Sequence, residues 1–356
     1  MIRKGGITIR AVLGVWVLLF VLGCVVQATE LVVPPKPAKL VISWWGFNLD
    51  LLNKNIAQPF EEKYGIKIEW DVGDNAARLA RLKATRDRPV VDVVAFSSTF
   101  MYRAIQEGLI QPYRPERIPN LAYIYEWARD PLGGNYAVAY TVQCIGIYYR
   151  KDLIAPPITS WKDFWRPELK GYITWPEMNT TYGPLLLLLT SEIWGGSERD
   201  LEPGWEKLKE LVENVRTIYR RSSEVIMMLQ AGEVWMAPVP SFAWGSVEAL
   251  GLPLERVLPE EGVIGEMSLV GIAKGTPNTY WAEEFINFLL SYEVQLAEAM
   301  DLVDSPVNIL VEVPPEVGAH LTYGEELIKN LRFFDVGYIV QHFDDWLRRW
   351  EELKLK

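Results

Sequence analysis

Short apolar runs alternate with helical repeats along the first third of the chain. Residues 40–45 form an apolar run of strand length, and apolar side chains then recur at every fourth position from Leu52 to Tyr64, before Gly65. This alternation predicts a buried strand and then a helix, which we expect to bend at Pro59. The same alternation continues as a strand at 66–70, a helix at 76–86 and a strand at 90–96. Strands separated by helices predict right-handed crossovers and a mainly parallel sheet.

The remaining pattern predicts two connecting strands and a second α/β unit. Ser160 with Asp163 marks the start of a short helix, and Ser97-Ser98-Thr99 is a polar turn after a buried strand, where free amides can hold an acceptor group. A simple helix cap is the alternative for that turn. The predicted strands are 136–140, 144–149, 172–175, 234–239 and a return strand at 268–273, and the helices are 182–192, 203–215, 222–231, 281–290, 293–302 and 343–353.

The N-terminus has the features of an export signal. A basic start precedes the apolar run 11–23, and Val21-Leu22-Gly23-Cys24 resembles a lipobox, which predicts lipidation at Cys24. We therefore assign 1–23 as a signal peptide and 24–37 as an extended, proline-containing tether. Ordinary cleavage after 26–28 is the competing interpretation, and an uncleaved anchor is a further alternative.

Composition and missing motifs narrow the function. Without residues 1–23 the chain keeps 33 Lys and Arg against 46 Asp and Glu, so nucleic acid is not an expected partner. The sequence lacks Walker, dinucleotide-binding, HEXXH and nucleophile-elbow motifs, and its two histidines lie near the C-terminus. We expect no enzyme activity, cofactor or metal, with an envelope hydrolase using two carboxylates as the alternative. Fifteen Trp residues indicate a packed core or an aromatic pocket, and Cys144 is expected to be a buried thiol.

Different short motifs follow one another in a characteristic order along residues 38–353. They are PFEEKYG at 59–65, VDVV at 91–94, EGLIQP at 107–112, GIYYRKD at 146–152, SWKDF at 160–164, LKG at 169–171, AGE at 231–233, PEEG at 259–262, AEEFINFL at 282–289 and SPVN at 305–308. In this order the chain resembles the bacterial family 1 extracellular solute-binding proteins, in the branch of the spermidine/putrescine, thiamine and ferric-iron receptors. The resemblance implies a type II periplasmic-binding fold: two α/β lobes joined by a two-strand hinge, with a ligand cleft between them. By analogy, the first lobe comprises 38–140 and 268–303, and the second 141–267 and 304–356.

The resemblance also implies a set of ligand-binding residues at the strand ends. The polyamine receptors offer a first-loop aromatic pair, a serine turn, an acidic loop and a pocket tryptophan, and they carry Trp-Xaa-Asp before the return strand, where this chain has Gly265-Glu266-Met267. A shift of one residue along a strand can point Glu266 away from the cleft, in which case Asp304 would compensate. The matching positions are Trp44, Trp45, Phe47, Ser97, Ser98, Glu177, Asn179, Thr180, Tyr182, Ser241, Trp244, Glu266 and Asp304, with Phe242 weighed beside Trp244.

The function implied is the receptor of an ABC importer. We expect a monomer in the periplasm or at the outer face of the cytoplasmic membrane that closes on a polyamine-like or other cationic solute and delivers it to the permease. Thiamine, a phosphonate, a small sugar and a sensor role are the alternatives. Ferric iron fits less well, because Tyr148 and Tyr149 lie on a predicted connecting strand rather than at a helix start.

Overall fold

Eleven strands form one continuous sheet in residues 33–355, the part of the chain that the computed structural model describes. The predicted signal peptide and Cys24 lie outside the described residues. The strand order is β2-β1-β3-β10-β5-β8-β6-β7, with β4 and β11 beside β10 and β9 beside β5. The strands are β1 Lys39–Trp44, β2 Lys67–Val72, β3 Val93–Ser97, β4 Ile110–Gln111, β5 Ala137–Arg150, β6 Ile173–Pro176, β7 Val215–Tyr219, β8 Met236–Pro240, β9 Leu254–Val257, β10 Val263–Ala273 and β11 Leu331–Arg332.

The sheet is mixed, so the prediction of a mainly parallel sheet is wrong. The first three strands are parallel, as predicted from their alternation with helices. However, β10 runs antiparallel to β3, β4 and β5, and β5 runs antiparallel to β8 and β9. The cause is that the chain returns along β10 from the second half of the sheet to the first, and therefore enters the first half from the opposite direction.

Two long strands connect two apolar regions. The first half of β5 pairs with β10, and its second half pairs with β8 and β9. One apolar core is built from residues within 40–142 and 269–307, and the other cores from residues within 144–350. The predicted lobe boundaries at 140/141 and 267/268 fall within β5 and β10. Cys144, on β5, is a buried free thiol, as its apolar surroundings predict.

The helices cover both faces of the sheet elements and include one irregular turn. A π-helical turn, Asn53–Ala57, ends just before Pro59, where we predicted a bend; the proline ring displaces the carbonyl four residues earlier and disturbs the helical ladder there. The helices are α1 Leu49–Leu52, α2 Gln58–Tyr64, α3 Asn75–Ala84, α4 Ser98–Gln106, α5 Glu126–Arg129, α6 Gly183–Ile193, α7 Glu202–Val212, α8 Ser222–Gln230, α9 Trp244–Glu248, α10 Thr279–Leu289, α11 Tyr292–Met300, α12 Pro315–Gly318, α13 Glu325–Lys329 and α14 Val336–Lys354.

The C-terminal helix α14 reaches both halves of the molecule. Phe343 packs edge-on against Phe100 of α4, with ring centroids 6.3 Å apart, while Trp346 and Trp350 belong to the core around α6 and α7. Within residues 33–355, no helix combines the length and apolar character that crossing a membrane requires.

Candidate functional site

The end of β1 carries the predicted aromatic pair. Trp44 is buried, and its ring centroid lies 4.7 Å from that of Tyr140 and 5.7 Å from that of Trp70. Trp45 is partly buried and meets the guanidinium of Arg78 at 4.7 Å on one ring face. An aromatic ring attracts a cation over its face, and one face of Trp45 is already occupied. Trp45 is therefore the more exposed ring of the pair, whereas Trp44 is part of the core.

Arg78 organises the loops around these rings, and we did not predict it as a site residue. Its side chain is 1% exposed and donates to the carbonyl oxygens of Ser43 (3.2 Å), Gly73 (2.9 Å) and Ala95 and to Oδ1 of Asn75 (3.0 Å). Burial lowers its pKa to about 9. The sequence signal for Arg78 is a basic residue at a position on the apolar face of α3.

The predicted serine turn holds a carboxylate of the chain itself. The amide N and Oγ of Ser98 both donate to Oε1 of Glu266 at 2.7 Å. Burial raises the pKa of Glu266 to about 7, although the two bonds from Ser98 act in the opposite direction. Glu266 also contributes, after burial, to the raised pKa of Tyr182. The turn thus donates to an acceptor group, as predicted. That acceptor is Glu266 of β10, the acid that is displaced by one residue relative to the polyamine receptors.

The acidic loop of the second half is anchored to the C-terminal helix. Glu177 is buried; Lys354 Nζ lies 3.0 Å from each of its carboxylate oxygens, and the indole of Trp350 donates to Oε1. Thr180 Oγ1 donates to the carbonyl of Glu177 at 2.7 Å, and Asn179 is exposed. The charge of Glu177 therefore already has a partner in the chain.

Ser241 and Trp244 are tied into the second half. Trp244 is buried, its Nε1 donates to the carbonyl of Val239 at 2.9 Å, and the guanidinium of Arg256 lies 4.1 Å from its ring. Ser241 Oγ accepts from the hydroxyl of Thr322 at 2.9 Å. Both side chains are thus engaged within the chain rather than turned to an open surface.

Two contacts join the site loops of the two predicted lobes. The rings of Phe47 and Phe242 meet edge to face with centroids 5.5 Å apart. Asn75 Nδ2 lies 3.3 Å from Thr181 Oγ1 and 3.3 Å from Ser97 Oγ. The first loop, the serine turn and the acidic loop therefore face one another, and Phe242 rather than Trp244 reaches across.

Asp304 lies buried beside the aromatic pair. Burial raises its pKa, against the hydrogen bonds from Thr141 and Gln143 on β5. Its charge in turn contributes, after burial, to the raised pKa of Tyr140, whose ring packs on Trp44. Asp304 thus acts electrostatically on Tyr140, a residue of the first core.

Other features of the surface do not coincide with these residues. One cavity of about 560 Å³ is lined by residues around Arg199, Tyr338 and Arg349, and another of about 380 Å³ by residues around Tyr219 and Met228. Within the described residues, no three or more His, Cys, Asp or Glu side chains are grouped as metal ligands would be. The predicted site is thus defined by its loops and its buried carboxyl groups.

Comparison with known families decides the class. Residues 88–328 match the family model described as bacterial extracellular solute-binding protein. The chain belongs to this family. Its fold is the type II periplasmic-binding fold, and it is a solute-binding protein of the ABC-importer class.

Relatives of this solute-binding protein cover most of its length. The spermidine/putrescine-binding periplasmic protein of Salmonella typhimurium is 28% identical over 245 residues, which is 67% of this chain and 70% of the relative. An ABC transporter structure from Clostridium perfringens has a TM-score of 0.76 and 31% identity and covers 89% of this chain and 100% of its own. The spermidine/putrescine substrate-binding protein of Streptococcus pneumoniae has a TM-score of 0.71 and 22% identity, covering 89% and 100%.

The members of this family share one role. Solute-binding proteins of ABC importers bind small solutes outside the cytoplasm and present them to a permease. Sequence comparison with the polyamine receptors missed Arg78 and Lys354, because their roles depend on contacts between distant segments. Arg78 joins three strand ends, and Lys354 is 177 residues from Glu177.

Proposed function

We propose that this receptor binds a small organic cation with at least one ammonium group, and that it has no catalytic activity. The observation that supports the proposal is that two buried carboxyl groups, Glu266 beside the serine turn and Asp304 after α11, have no Lys or Arg partner among the described residues. Burial without a cation raises the pKa of each, to about 7 for Glu266. A cation entering the cleft would supply the missing charge.

The aromatic residues support the same proposal. Trp45 has one ring face free of Arg78, and Phe47 and Phe242 form an apolar boundary between the loops. A cation over a tryptophan face gains about 0.5–2 kcal/mol, most when water is excluded. The spermidine/putrescine-binding protein of Salmonella typhimurium binds solutes of this class, by its name.

The proposal includes the mode of action. The receptor closes its two lobes, residues 38–140 with 268–303 and residues 141–267 with 304–356, over the solute and delivers it as a monomer to the permease. The Phe47–Phe242 and Asn75–Thr181 contacts are of the kind that closure would form. Attachment through a lipid at Cys24 would keep the receptor near the permease.

A thermal-shift screen tests the solute class. Putrescine, spermidine, thiamine, methylphosphonate and maltose would be added separately to the purified mature protein. A solute present at about 1,000 times its Kd adds about 4 kcal/mol to the free energy of unfolding, a readily measured shift. Stabilisation by the amines supports the proposal, and stabilisation by maltose or methylphosphonate alone refutes the cationic solute.

A further inference from the structure

One carboxyl group of the first half has no partner and was not predicted as a site residue. Glu298, on α11, is 2% exposed, and neither of its carboxyl oxygens has a hydrogen-bond partner in the described part of the chain. A carboxyl group in this position destabilises the folded state, because burial removes its hydrogen bonds to water without supplying donors from the chain. The nearby side-chain amide of Asn55 donates elsewhere, to Asp301 Oδ2 at 2.9 Å.

The turn after α11 brings Asp304 next to Glu298. Leu302 adopts a left-handed conformation (φ 56°), which reverses the chain. The amides of Val303 and Asp304 then lie 2.9 Å and 3.5 Å from the carbonyl oxygen of Glu298. Asp304 is itself buried, so two carboxyl groups share one water-free region.

The charges around this pair do not neutralise it. Lys54 faces it from the π-helical turn but forms a surface pair with Asp301 at 2.6 Å, with 61% of the lysine side chain exposed. Asp301, on the turn that follows α11, adds a further negative charge, and Tyr140 of β5 is a neutral phenol. Burial first, and then repulsion from Asp304, raise the pKa of Glu298 well above its ordinary value. Burial and mutual repulsion therefore both favour a protonated form of the empty pair.

We propose that Glu298 and Asp304 together bind the ammonium group of the solute. An ammonium carries three donors and one positive charge, which match a buried carboxyl group without donors, Glu298, beside a second buried carboxyl group without a cationic partner, Asp304. The charges of both acids act on Tyr140, whose ring centroid lies 4.7 Å from that of Trp44, so aromatic side chains belong to the same region. This inference rests on the proposed function, since it requires an amine-bearing solute.

Ammonium binding at this pair has a chemical consequence that a purely structural pair does not. When the cation enters, both carboxyl groups ionise, and the proton that the empty pair held is released to solvent. Neutralising either acid should therefore reduce both the affinity for the amine and the number of protons released on binding.

Isothermal titration with three four-carbon probes tests the proposal: putrescine, n-butylamine and neutral butane-1,4-diol. Each is titrated near neutral pH in two buffers of different ionisation enthalpy, so that the number of released protons is measured. The proteins are the parent, Glu298→Gln, Asp304→Asn and the control Asp301→Asn. Asp301 follows α11 directly and is partly exposed, with its charge paired to Lys54.

We expect the parent to bind at least one amine with proton release, and to bind the diol far more weakly. Glu298→Gln and Asp304→Asn should weaken amine binding at least about tenfold and abolish the proton release, because each removes half of the charge partner. Asp301→Asn should stay within about twofold of the parent, as expected for a surface pair.

The outcomes separate the two proposals. Amine binding that is unchanged in both pair variants and releases no proton overturns the ammonium site and leaves the cationic solute standing. Binding of the diol with no binding of either amine overturns both. Both variants are close in shape to the parent, and the proton count on the parent alone remains decisive if either variant fails to fold.

Discussion

The ion pair between Glu177 and Lys354 should stabilise the receptor as a buried interaction. Its two side chains are 5% and 20% exposed, and the indole of Trp350 donates to the same carboxylate. Removal of one partner from a fully buried pair costs about 3–5 kcal/mol, whereas an exposed pair contributes about 0.2–1 kcal/mol. Because Lys354 keeps some solvent contact and Trp350 still donates, we expect Lys354→Met to lower the free energy of unfolding by about 1–3 kcal/mol.

Urea unfolding of the mature protein measures this effect. The variants are Lys354→Met, Glu177→Gln and the double variant, and Lys329→Met is the control, since that lysine and its partner Glu325 are 70% and 80% exposed. The control should stay within about 0.5 kcal/mol of the parent. The double variant should be less destabilised than the sum of the singles by about 1 kcal/mol or more, because the second change no longer leaves a charge unpaired.

The reasoning would be refuted by two observations. One is Lys354→Met unfolding within about 0.5 kcal/mol of the parent, which is the behaviour of a surface pair. The other is strict additivity in the double variant, which would mean that the two charges do not interact. Either result would free Glu177 to be reconsidered as a solute carboxylate.

Three further predictions concern the site and the N-terminus. The pKa of Glu266 is about 7 in the folded chain and 4.5 ordinarily. At a pH between these two values, Glu266 therefore holds a proton in the folded chain and has lost it in the unfolded chain. Stability should therefore fall as pH rises through that range, and Glu266→Gln should flatten this part of the urea-stability profile; a profile parallel to the parent would contradict it. Phe242→Ala removes a ring contact with Phe47 worth about 0.5–1.5 kcal/mol, so solute-free small-angle scattering should give a larger radius of gyration, and an unchanged value would exclude a role in closure. Cys24→Ala should release the protein from the host membrane, whereas an unmodified Thr29 start in the mass spectrum of the parent would show ordinary signal cleavage.

Elements with local signals were predicted well. The helix α3 begins at Asn75 after the capping side chain of Asp74, one residue from the predicted start, and the predicted Ser160–Asp163 capping box is present at 161–165. Apolar periodicity and caps depend on neighbouring residues, so they can be recognised in the sequence alone. The return strand was also found, although β10 begins five residues earlier than predicted.

Elements stabilised by distant pairing were missed or misjudged. The predicted helix 203–215 ends at Val212, and β7 follows it, a strand with two exposed residues that is held by parallel pairing with β6. The two predicted strands 136–140 and 144–149 are one continuous strand, β5, because β10 pairs along it. Strand formation of this kind is decided by the partner strand rather than by the segment itself.

The carboxyl groups show why a site is harder to predict than a fold. Glu177, Glu266 and Asp304 were equivalent candidates in the sequence, since each is an acid at a loop or strand end. In the folded chain Glu177 meets a lysine from the C-terminal helix, whereas Glu266 meets only donors of Ser98. An acid with a cation in the chain has no electrostatic need of a solute, while a buried acid without one gains from binding it. The candidates are therefore separated by contacts between segments that lie far apart in the sequence, and the strongest demand for a cation falls on the region of Asp304.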